Sequence, residues 1–344
     1  MNSYQRTMTA LEVKQPDRVP ILEWQISSHV IEALEPGSSE LEFMARNLDA
    51  VSTWEDTREK DGGSGVIIDE WGAKRKYLGQ RYPIPFEFPI KSEEDLKNFK
   101  LPDPQAPWRF ERLKEAVKNY KGEKAIIFCL ETVFTYAWVL VGMEELLISF
   151  RTNPDFTRKL LQINAEYHLK LAESAIELGA DAIMCGDDLA YKTGLMMSRG
   201  DFRKFLLPHY QRMIDLVHSK GIPFIKHSDG NIWEILDLFV DAGIDAINPL
   251  EPVAGMDIGE VKQKYGDRVC LIGNIDCGDL LCRKSPPEVE EVVKKTIEKA
   301  APGGGYIISS SNAIQRAAKP ENYRVMIETT KKYGRYPLNI LQKS

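Results

Sequence analysis

The chain has 344 residues, of which 43% are hydrophobic, and this is enough to fill the core of one large domain. Lysine and arginine number 45 and aspartate and glutamate 51, so the net charge of −6 argues against a general nucleic-acid binder, which needs a basic face. No apolar run reaches membrane-spanning length, and the N-terminus lacks the apolar core of a signal peptide. The five cysteines form no CxxC pair, which indicates reduced thiols, so we expect a cytoplasmic protein without a membrane partner.

Hydrophobic periodicity predicts eight strands that alternate with helices, after a short N-terminal helix. The strands are predicted to begin near residues 19, 50, 125, 181, 222, 244, 268 and 305. Between the second and third strands, residues 57–107 form an excursion that holds a hairpin around Gly72 and a proline-rich stretch. Eight such units predict the α/β class, a (β/α)8 TIM barrel formed by a single domain over 1–344. A doubly wound open sheet is the alternative.

The end of the fifth strand shows most clearly how these units could present chemistry. An apolar run from Ile222 to Ile225 ends in His227, Ser228 and Asp229, and Gly230 then allows a turn before the next helix. In a parallel α/β protein, functional groups lie at such strand ends. The simpler interpretation is that Asp229 is only the N-cap of the following helix.

Every predicted strand ends in polar side chains, which favours the barrel, because only strands near the switch point of an open sheet need them. The polar residues of this rim are Glu23, Asp56, Glu131, Asp187, Asp188, His227, Asp229, Asn248, Glu251, Asn274, Asp276 and Asn312. So many like charges should raise the pKa of some carboxyls, which suits general-acid catalysis. We expect roughly half of these residues only to cap helices or bond loop backbones.

The same rim offers ligands for a metal ion. His227 and Asp229 form a possible pair, with Glu251, Asp187 or Cys185 as the third ligand, and a site of histidine and carboxylates suits zinc. The sequence has no HExxH or CxxC motif to support it, so a hydrogen-bonded histidine is the expectation and a zinc site the alternative. GxGxxG and GxxxxGK[ST] motifs are also absent from the sequence, which argues against nucleotide binding.

The order and spacing of several motifs resemble those of the uroporphyrinogen decarboxylase superfamily, which also holds corrinoid-dependent methyltransferases. The motifs are Arg18-Val-Pro20, Asp69-Glu-Trp-Gly72, Gly179-Ala-Asp-Ala-Ile183, His227-Ser-Asp-Gly230, Asn248-Pro-Leu-Glu-Pro252, Ala254-Gly-Met-Asp257, Gly273-Asn274 and Gly303-Gly-Gly-Tyr-Ile307. The resemblance covers nearly the whole chain and independently implies the barrel.

The resemblance to the decarboxylase itself is incomplete. The arginine-rich signature that follows its first strand is replaced by Trp24-Gln-Ile-Ser-Ser-His29, which has no arginine. The family's aspartate after the second strand is matched by Asp56, but its tyrosine falls on Val139, its serine on Asp188 and its histidine on Asn312. A polyanionic porphyrinogen would also meet an acidic rim, and like charges brought together in a pocket cost energy.

Two methyltransferase branches remain. The zinc branch, which methylates a thiol coenzyme, carries a His-x-Cys pair after the fifth strand and a cysteine after the eighth; here His227-Ser-Asp229 keeps only the histidine, and residues 309–312 hold no cysteine. The other branch consists of the first methyltransferases of demethylating systems. The resemblance therefore implies transfer of a methyl group from an O-methyl substrate, such as a phenyl methyl ether, or an N-methyl substrate to Co(I) of a separate corrinoid protein.

This prediction assigns roles around the rim. The predicted catalytic residues, placed around the leaving group, are Asp187, Asp188, His227, Asp229 and Glu251. The predicted substrate-binding residues are Glu23, Trp24, Asp56, Glu131, Asn248, Asn274 and Asn312. A metal ion would use His227, Asp229 and Glu251, and the corrinoid (cobalamin) is carried by the partner protein. A tetrapyrrole decarboxylase and a non-catalytic corrinoid-binding protein are the alternatives, and the oligomeric state is left open, a homodimer included.

Overall fold

Seven parallel strands, with helices between them, form the curved sheet at the centre of the fold. The computed structural model describes residues 1–77 and 83–338. The strands are β1 (Ala50–Trp54), β2 (Glu59–Gly63), β3 (Val66–Asp69), β4 (Lys74–Lys76), β5 (Ile84–Glu87), β6 (Ala125–Glu131), β7 (Ala182–Gly186), β8 (Ala190–Tyr191), β9 (Gly194–Leu195), β10 (Phe224–His227), β11 (Ala246–Asn248), β12 (Cys270–Ile275) and β13 (Tyr306–Ser310). The parallel sheet has the order β1-β6-β7-β10-β11-β12-β13, which confirms the predicted α/β barrel class.

Helices follow most of these strands and cover the outside of the sheet. The α-helices are α1 (Ser3–Leu11), α2 (Ser28–Leu34), α3 (Glu40–Asn47), α4 (Glu93–Asn98), α5 (Glu111–Tyr120), α6 (Val133–Val141), α7 (Met143–Thr152), α8 (Pro154–Glu177), α9 (Arg199–Asp201), α10 (Leu207–Ser219), α11 (Trp233–Ala242), α12 (Ile258–Tyr265), α13 (Asp279–Arg283), α14 (Pro286–Ala300) and α15 (Pro320–Tyr333). Short 3-10 helices cover Pro107–Phe110 and Pro252–Ala254, and a π-helix covers Phe202–Leu206 directly before α10.

The predicted first strand, at residue 19, is not a regular strand. Residues 19–26 form an extended segment between β13 and β1, with isolated bridges from Ile21 to Ile308 and from Ile26 to Ile314. The Ile21 carbonyl accepts a hydrogen bond from Asp49 N at 2.9 Å on the β1 side. Pro20 has no N–H to donate, so a continuous ladder cannot form here. The segment therefore closes the barrel through separate groups of backbone hydrogen bonds, such as those at Ile308 and Ile314, and not through a regular ladder.

The Glu23 side chain connects this extended segment to β13 and does not reach the mouth of the barrel. Its Oε1 accepts from Ser310 N at 3.1 Å, and Ser310 Oγ lies 2.6 Å from Oε2. The side chain is fully buried, and burial raises the pKa of Glu23 to about 8. The carboxyl of Glu23, which is predicted to bind substrate, is therefore enclosed in the barrel wall.

We expect Glu23→Gln to stabilise the protein relative to the wild type at pH 8 but not at pH 4.5. The folded-state pKa of about 8 lies above the ordinary value of 4.5, so the wild type loses stability as the pH rises through that interval. Each unit of pKa difference is worth about 1.4 kcal/mol, and glutamine stays neutral throughout. Urea unfolding across this range measures the effect; parallel stability curves for the two proteins would contradict it.

The interior of the barrel is closed below its mouth by apolar side chains. Ala50, Ala125 and Ala182 are the first residues of their strands, and their small side chains leave room at the N-terminal end of the barrel. Leu11 of α1 packs into this cluster, together with Ile127. Polar groups at the opposite strand ends thus lie above an apolar floor.

The excursion after β1 is a four-stranded antiparallel sheet, β2-β3-β4-β5, where the sequence predicts a single hairpin. Strands β3 and β4 pair around the predicted turn, with Ile67 opposite Arg75, and Gly72 has a φ of +86° that favours glycine. The predicted hairpin extends to Gly79, and residues 78 and 79 lie outside the described part of the chain.

Arg109 fastens this sheet to the barrel. Its Nη1 lies 2.7 Å from Glu70 Oε1, in the β3–β4 turn, and 3.2 Å from Glu55 Oε2, directly after β1. Beside it, the Trp71 ring packs on Tyr136 with a centroid distance of 4.5 Å. The Asp69-Glu-Trp-Gly72 motif therefore has a structural role as the anchor of the excursion.

In the described ranges, no single helix is long and apolar enough to cross a membrane. The pair α6 and α7 passes that test jointly, by length and composition only, with a bend of 101° between the two helices.

Candidate active site

The ends of four neighbouring strands bring polar side chains into one layer at the barrel mouth. The register pairs Glu131 with Gly186, Gly186 with His227, and His227 with Asn248. A Cβ on Gly186 would lie 3.0 Å from Trp24 Cη2 and 3.1 Å from Glu131 Oε2. Glycine at this position therefore leaves the space that the neighbouring side chains occupy.

Two contacts hold the His227 side chain in place, one on a face of the imidazole ring and one at a ring nitrogen. The Trp24 ring stacks on the imidazole with a centroid distance of 4.0 Å and an interplanar angle of 16°. The distance from His227 Nδ1 to Asn248 Oδ1 is 2.5 Å, and because this amide oxygen only accepts, Nδ1 carries the proton. Burial lowers the pKa of His227, which favours a neutral ring with an unprotonated Nε2.

Two aspartates face the free nitrogen of this ring. The distance from His227 Nε2 is 3.6 Å to Asp229 Oδ1 and 4.0 Å to Asp188 Oδ1. Asp229 Oδ2 accepts a hydrogen bond from Asn312 Nδ2, whereas Oδ1 is shielded from solvent and has no hydrogen-bond partner in the described chain. Burial, and then the negative charges of Asp188 and Glu251, raise the pKa of Asp229 well above its usual range. Both effects favour the protonated form of the Asp229 carboxyl.

The capping interpretation of Asp229 is wrong. Helix α11 begins at Trp233, its N-cap is Ile232, and no side chain caps it. Gly230, with a φ of +84°, separates Asp229 from this helix, and a Cβ there would lie 2.4 Å from the Ala190 carbonyl oxygen. The close packing of the β8–β9 hairpin against Gly230 holds the loop that carries Asp229.

The geometry also defines which residues could share a metal ion. Ligand atoms of Asp188, His227 and Asp229 all lie within 4.8 Å of one another. Glu251, the predicted third ligand, instead accepts a hydrogen bond from Gly230 N at 3.0 Å. One imidazole and two carboxylates fit a divalent ion such as zinc, without the thiolates of a soft, thiol-activating site.

Aromatic rings and a second carboxyl with a raised pKa line the mouth next to this cluster. Trp54 meets Trp24 edge to face, with a centroid distance of 4.4 Å, and Trp54 Nε1 has no hydrogen-bond partner among the described residues. Burial, and then Asp188 and Asp187, raise the pKa of Glu131 to about 8. The mouth therefore combines flat apolar surfaces with carboxyls whose pKa is raised.

Asp187, a predicted catalytic residue, is instead a structural acceptor. Its side-chain oxygens accept from Thr132 Oγ1 at 2.5 Å, Phe134 N at 3.1 Å, Thr135 N at 2.7 Å and Tyr210 OH at 2.6 Å. These four donors use the acceptor capacity of the carboxylate. Asp187 therefore fixes the start of α6 and is not a free acid at the mouth.

The side chains of three further rim residues form hydrogen bonds with backbone groups. Asp56 Oδ2 accepts from Arg112 N at 3.2 Å, and Asn274 Nδ2 donates to the Met256 carbonyl at 2.9 Å. Asp276 accepts from Gly278 N at 2.8 Å at the start of α13. The structure thus gives Asp56 and Asn274, predicted to bind substrate, the same helix- and loop-fixing role as Asp276.

Two buried ionisable groups near the mouth are missing from the sequence-based predictions. Lys226 is fully buried beside His227, and burial raises the pKa of Glu55 to about 7. Lys226 was detectable as a lysine inside the apolar run of a strand. Glu55 directly follows β1, as other rim acids follow their strands, but its contact with Arg109, 54 residues away in the chain, has no local signal.

A parallel barrel with its chemistry at the C-terminal ends of the strands is the architecture of a large class of enzymes. Residues 66–333 match the family model described as uroporphyrinogen decarboxylase (URO-D), so the chain belongs to the uroporphyrinogen decarboxylase family. This confirms the resemblance that the motifs indicate.

Individual relatives carry two different names. The uroporphyrinogen decarboxylase of Azoarcus sp. (strain BH72) is 27% identical over 264 residues, covering 73% of this chain and 70% of that protein. The uroporphyrinogen decarboxylase of Herminiimonas arsenicoxydans is 26% identical over 275 residues, covering 73% and 71%. A solved methyltransferase from Methanosarcina mazei superposes with a TM-score of 0.76 over 97% of this chain and 99% of that chain, at 20% identity, which is a likeness of fold.

Proposed function

We propose that the protein is a corrinoid-protein-dependent methyltransferase, which moves a methyl group from an O-methyl or N-methyl substrate to Co(I) of a separate corrinoid protein. The observation that carries the proposal is Asp229 Oδ1, which is shielded from solvent, lacks a partner among the described residues and lies 3.6 Å from His227 Nε2. A protonated carboxyl at this place can donate a proton to a poor leaving group. The resemblance of the motifs to the demethylating branch supports the same reaction.

The cobalt of the carrier supplies the nucleophile, so the chain has to bind the substrate and assist the leaving atom. As the bond from the methyl carbon to oxygen or nitrogen breaks, its electron pair stays on the leaving atom, which takes the proton of Asp229. Asn312 holds the other oxygen of that carboxyl. Trp54 is half-buried beside Trp24, and it offers an aromatic surface on which an aryl ring can stack.

A divalent metal ion is the other means of polarising the leaving atom. Asp188, His227 and Asp229 would hold it, and a bound ion would act as a Lewis acid. Asp229 would then be an ionised ligand and could not donate a proton. Metal analysis of the purified protein, before and after dialysis against a chelator, separates the two arrangements.

The proposed reaction is tested with a reduced corrinoid carrier and a panel of phenyl methyl ethers and methylamines. We expect the Co(I) absorbance to disappear and the methylated corrinoid to form in equal amount to the demethylated product. An unchanged spectrum with every member of the panel would count against the proposal.

Decarboxylation of a tetrapyrrole is the second candidate, because the relatives named uroporphyrinogen decarboxylase match this chain over 70% or more of their own length. It requires uroporphyrinogen alone to be converted to coproporphyrinogen without a carrier. The acidic mouth and the absence of arginine between Trp24 and His29 disfavour an anionic substrate. A non-catalytic corrinoid-binding protein would bind the carrier equally well with Asp229 replaced.

A further inference from the structure

Lys226 is a fully buried lysine whose ammonium group makes no salt bridge within the described residues. Its Nζ donates to three backbone carbonyls: Cys185 at 3.4 Å, Asp187 at 3.2 Å and His227. All three carbonyls lie at the C-terminal ends of β7 and β10. The contacts therefore join the two strand ends that lead to Asp188 and Asp229.

A buried charge is costly unless its surroundings replace water. The carbonyl dipoles do so for Lys226, and the rings of Tyr210 and Phe239 add cation–π contacts, with centroids 5.2 and 5.5 Å from Nζ. An apolar side chain would fill the same space without that cost. Only the ammonium group can donate hydrogen bonds to three backbone carbonyls and so attach them to one point.

The hydrogen bonds of Lys226 lie where the backbone ladder between β7 and β10 ends. The His227 carbonyl accepts from Asp187 N at 3.3 Å, a long hydrogen bond, and also from Lys226 Nζ. Beyond it, Asp229 N donates to Asp188 Oδ1 at 3.0 Å. The spacing of Asp188, His227 and Asp229 therefore depends on two strand ends that Lys226 holds together.

We propose that Lys226 is a positioning residue for the mouth, which sets the distances among Asp188, His227 and Asp229 through the backbone carbonyls of Asp187 and His227. Its kinetic consequences rest on the proposed methyl transfer, but its effect on geometry does not. Methionine at position 226 removes the attachment and keeps a side chain of similar length.

The first test measures the geometry by NMR. The imidazole nitrogen signals of His227, assigned by their loss in His227→Gln, are expected to shift or broaden in Lys226→Met. The matched control is Lys262→Met, since Lys262 Nζ also donates to a backbone carbonyl, that of Gly304, at 2.5 Å, away from the mouth. Unchanged His227 signals in Lys226→Met, or equal changes in both variants, would overturn the proposal. If the methionine variant does not fold, Lys226→Gln, which keeps a polar group but not the charge or reach, is judged by the same outcomes.

The second test is kinetic. A displaced acid is expected to lower kcat by about 100-fold with a much smaller change in KM. In Lys226→Ala, added ethylammonium should restore part of the lost rate and move the His227 signals part of the way back to their wild-type positions. A merely structural role of the side chain would not allow this rescue. A wild type without methyl transfer would refute the proposed function and leave the NMR comparison to decide the role of Lys226. Wild-type kcat in Lys226→Met would refute the positioning role.

Discussion

Replacing Asp229 with asparagine is expected to slow methyl transfer from a phenyl methyl ether by about 10²- to 10⁴-fold, the usual contribution of a positioned general acid. Asparagine keeps the shape and can still accept from Asn312, but it cannot deliver a proton to the leaving oxygen. The phenolate of an aryl ether with electron-withdrawing substituents leaves more readily. Methyl transfer from such an ether should therefore be slowed much less by this substitution. Stopped-flow loss of the Co(I) absorbance measures both substrates.

The pH dependence supplies an independent check on the same residue. The pKa of Asp229 is raised well above its usual range, so the wild-type rate should fall only as the pH rises through that raised value. This alkaline decline should vanish in Asp229→Asn. The matched control is Glu251→Gln, since Glu251 is a neighbouring acid bonded to Gly230 N. Equal losses in the two variants, or equal losses for good and poor leaving groups, would exclude Asp229 as the acid.

Replacing Arg109 with methionine is expected to lower the free energy of unfolding by about 3–5 kcal/mol, as removal of one partner of a buried ion pair typically does. The side chain is 1% exposed and binds Glu70 and Glu55, and its Nε donates to the Asp103 carbonyl at 2.6 Å. Without the guanidinium, two carboxyls remain enclosed with no cation. Since burial already holds the pKa of Glu55 at about 7, the loss should be larger at pH 8 than at pH 5.5.

Arg112→Met is the matched control for this experiment. Arg112 pairs with Glu40 at 3.0 Å, but its side chain is 39% exposed, and such pairs contribute about 1 kcal/mol or less. Denaturant unfolding of both variants measures the difference. Similar losses in the two proteins would show that the Arg109 cluster is not the anchor of the excursion.

The sequence by itself determined the barrel and the position of its polar residues at the ends of the strands. Strand runs such as 125–131 and 182–186 are apolar and end in polar residues, and both signals are local, so they can be read without the fold. The motif around His227 and Asp229 likewise placed both residues at one strand end. Their proximity at 3.6 Å follows from their spacing along the chain.

Only the tertiary structure decided which of the rim acids are free. Glu23 and Asp187 look like the other strand-end acids in the sequence, but each meets donors from a distant segment: Ser310 for the first, Thr132 and Tyr210 for the second. Such contacts depend on how neighbouring units pack, which no local pattern records.

The same reason explains why Asp188 joins His227 and Asp229, and Glu251 does not. Strands β7 and β10 are adjacent in the sheet, and a hydrogen bond from Asp229 N orients Asp188, whereas Gly230 N engages Glu251. Sequence order placed the acids on one rim. Strand register and the closing of the loops selected those that can act together.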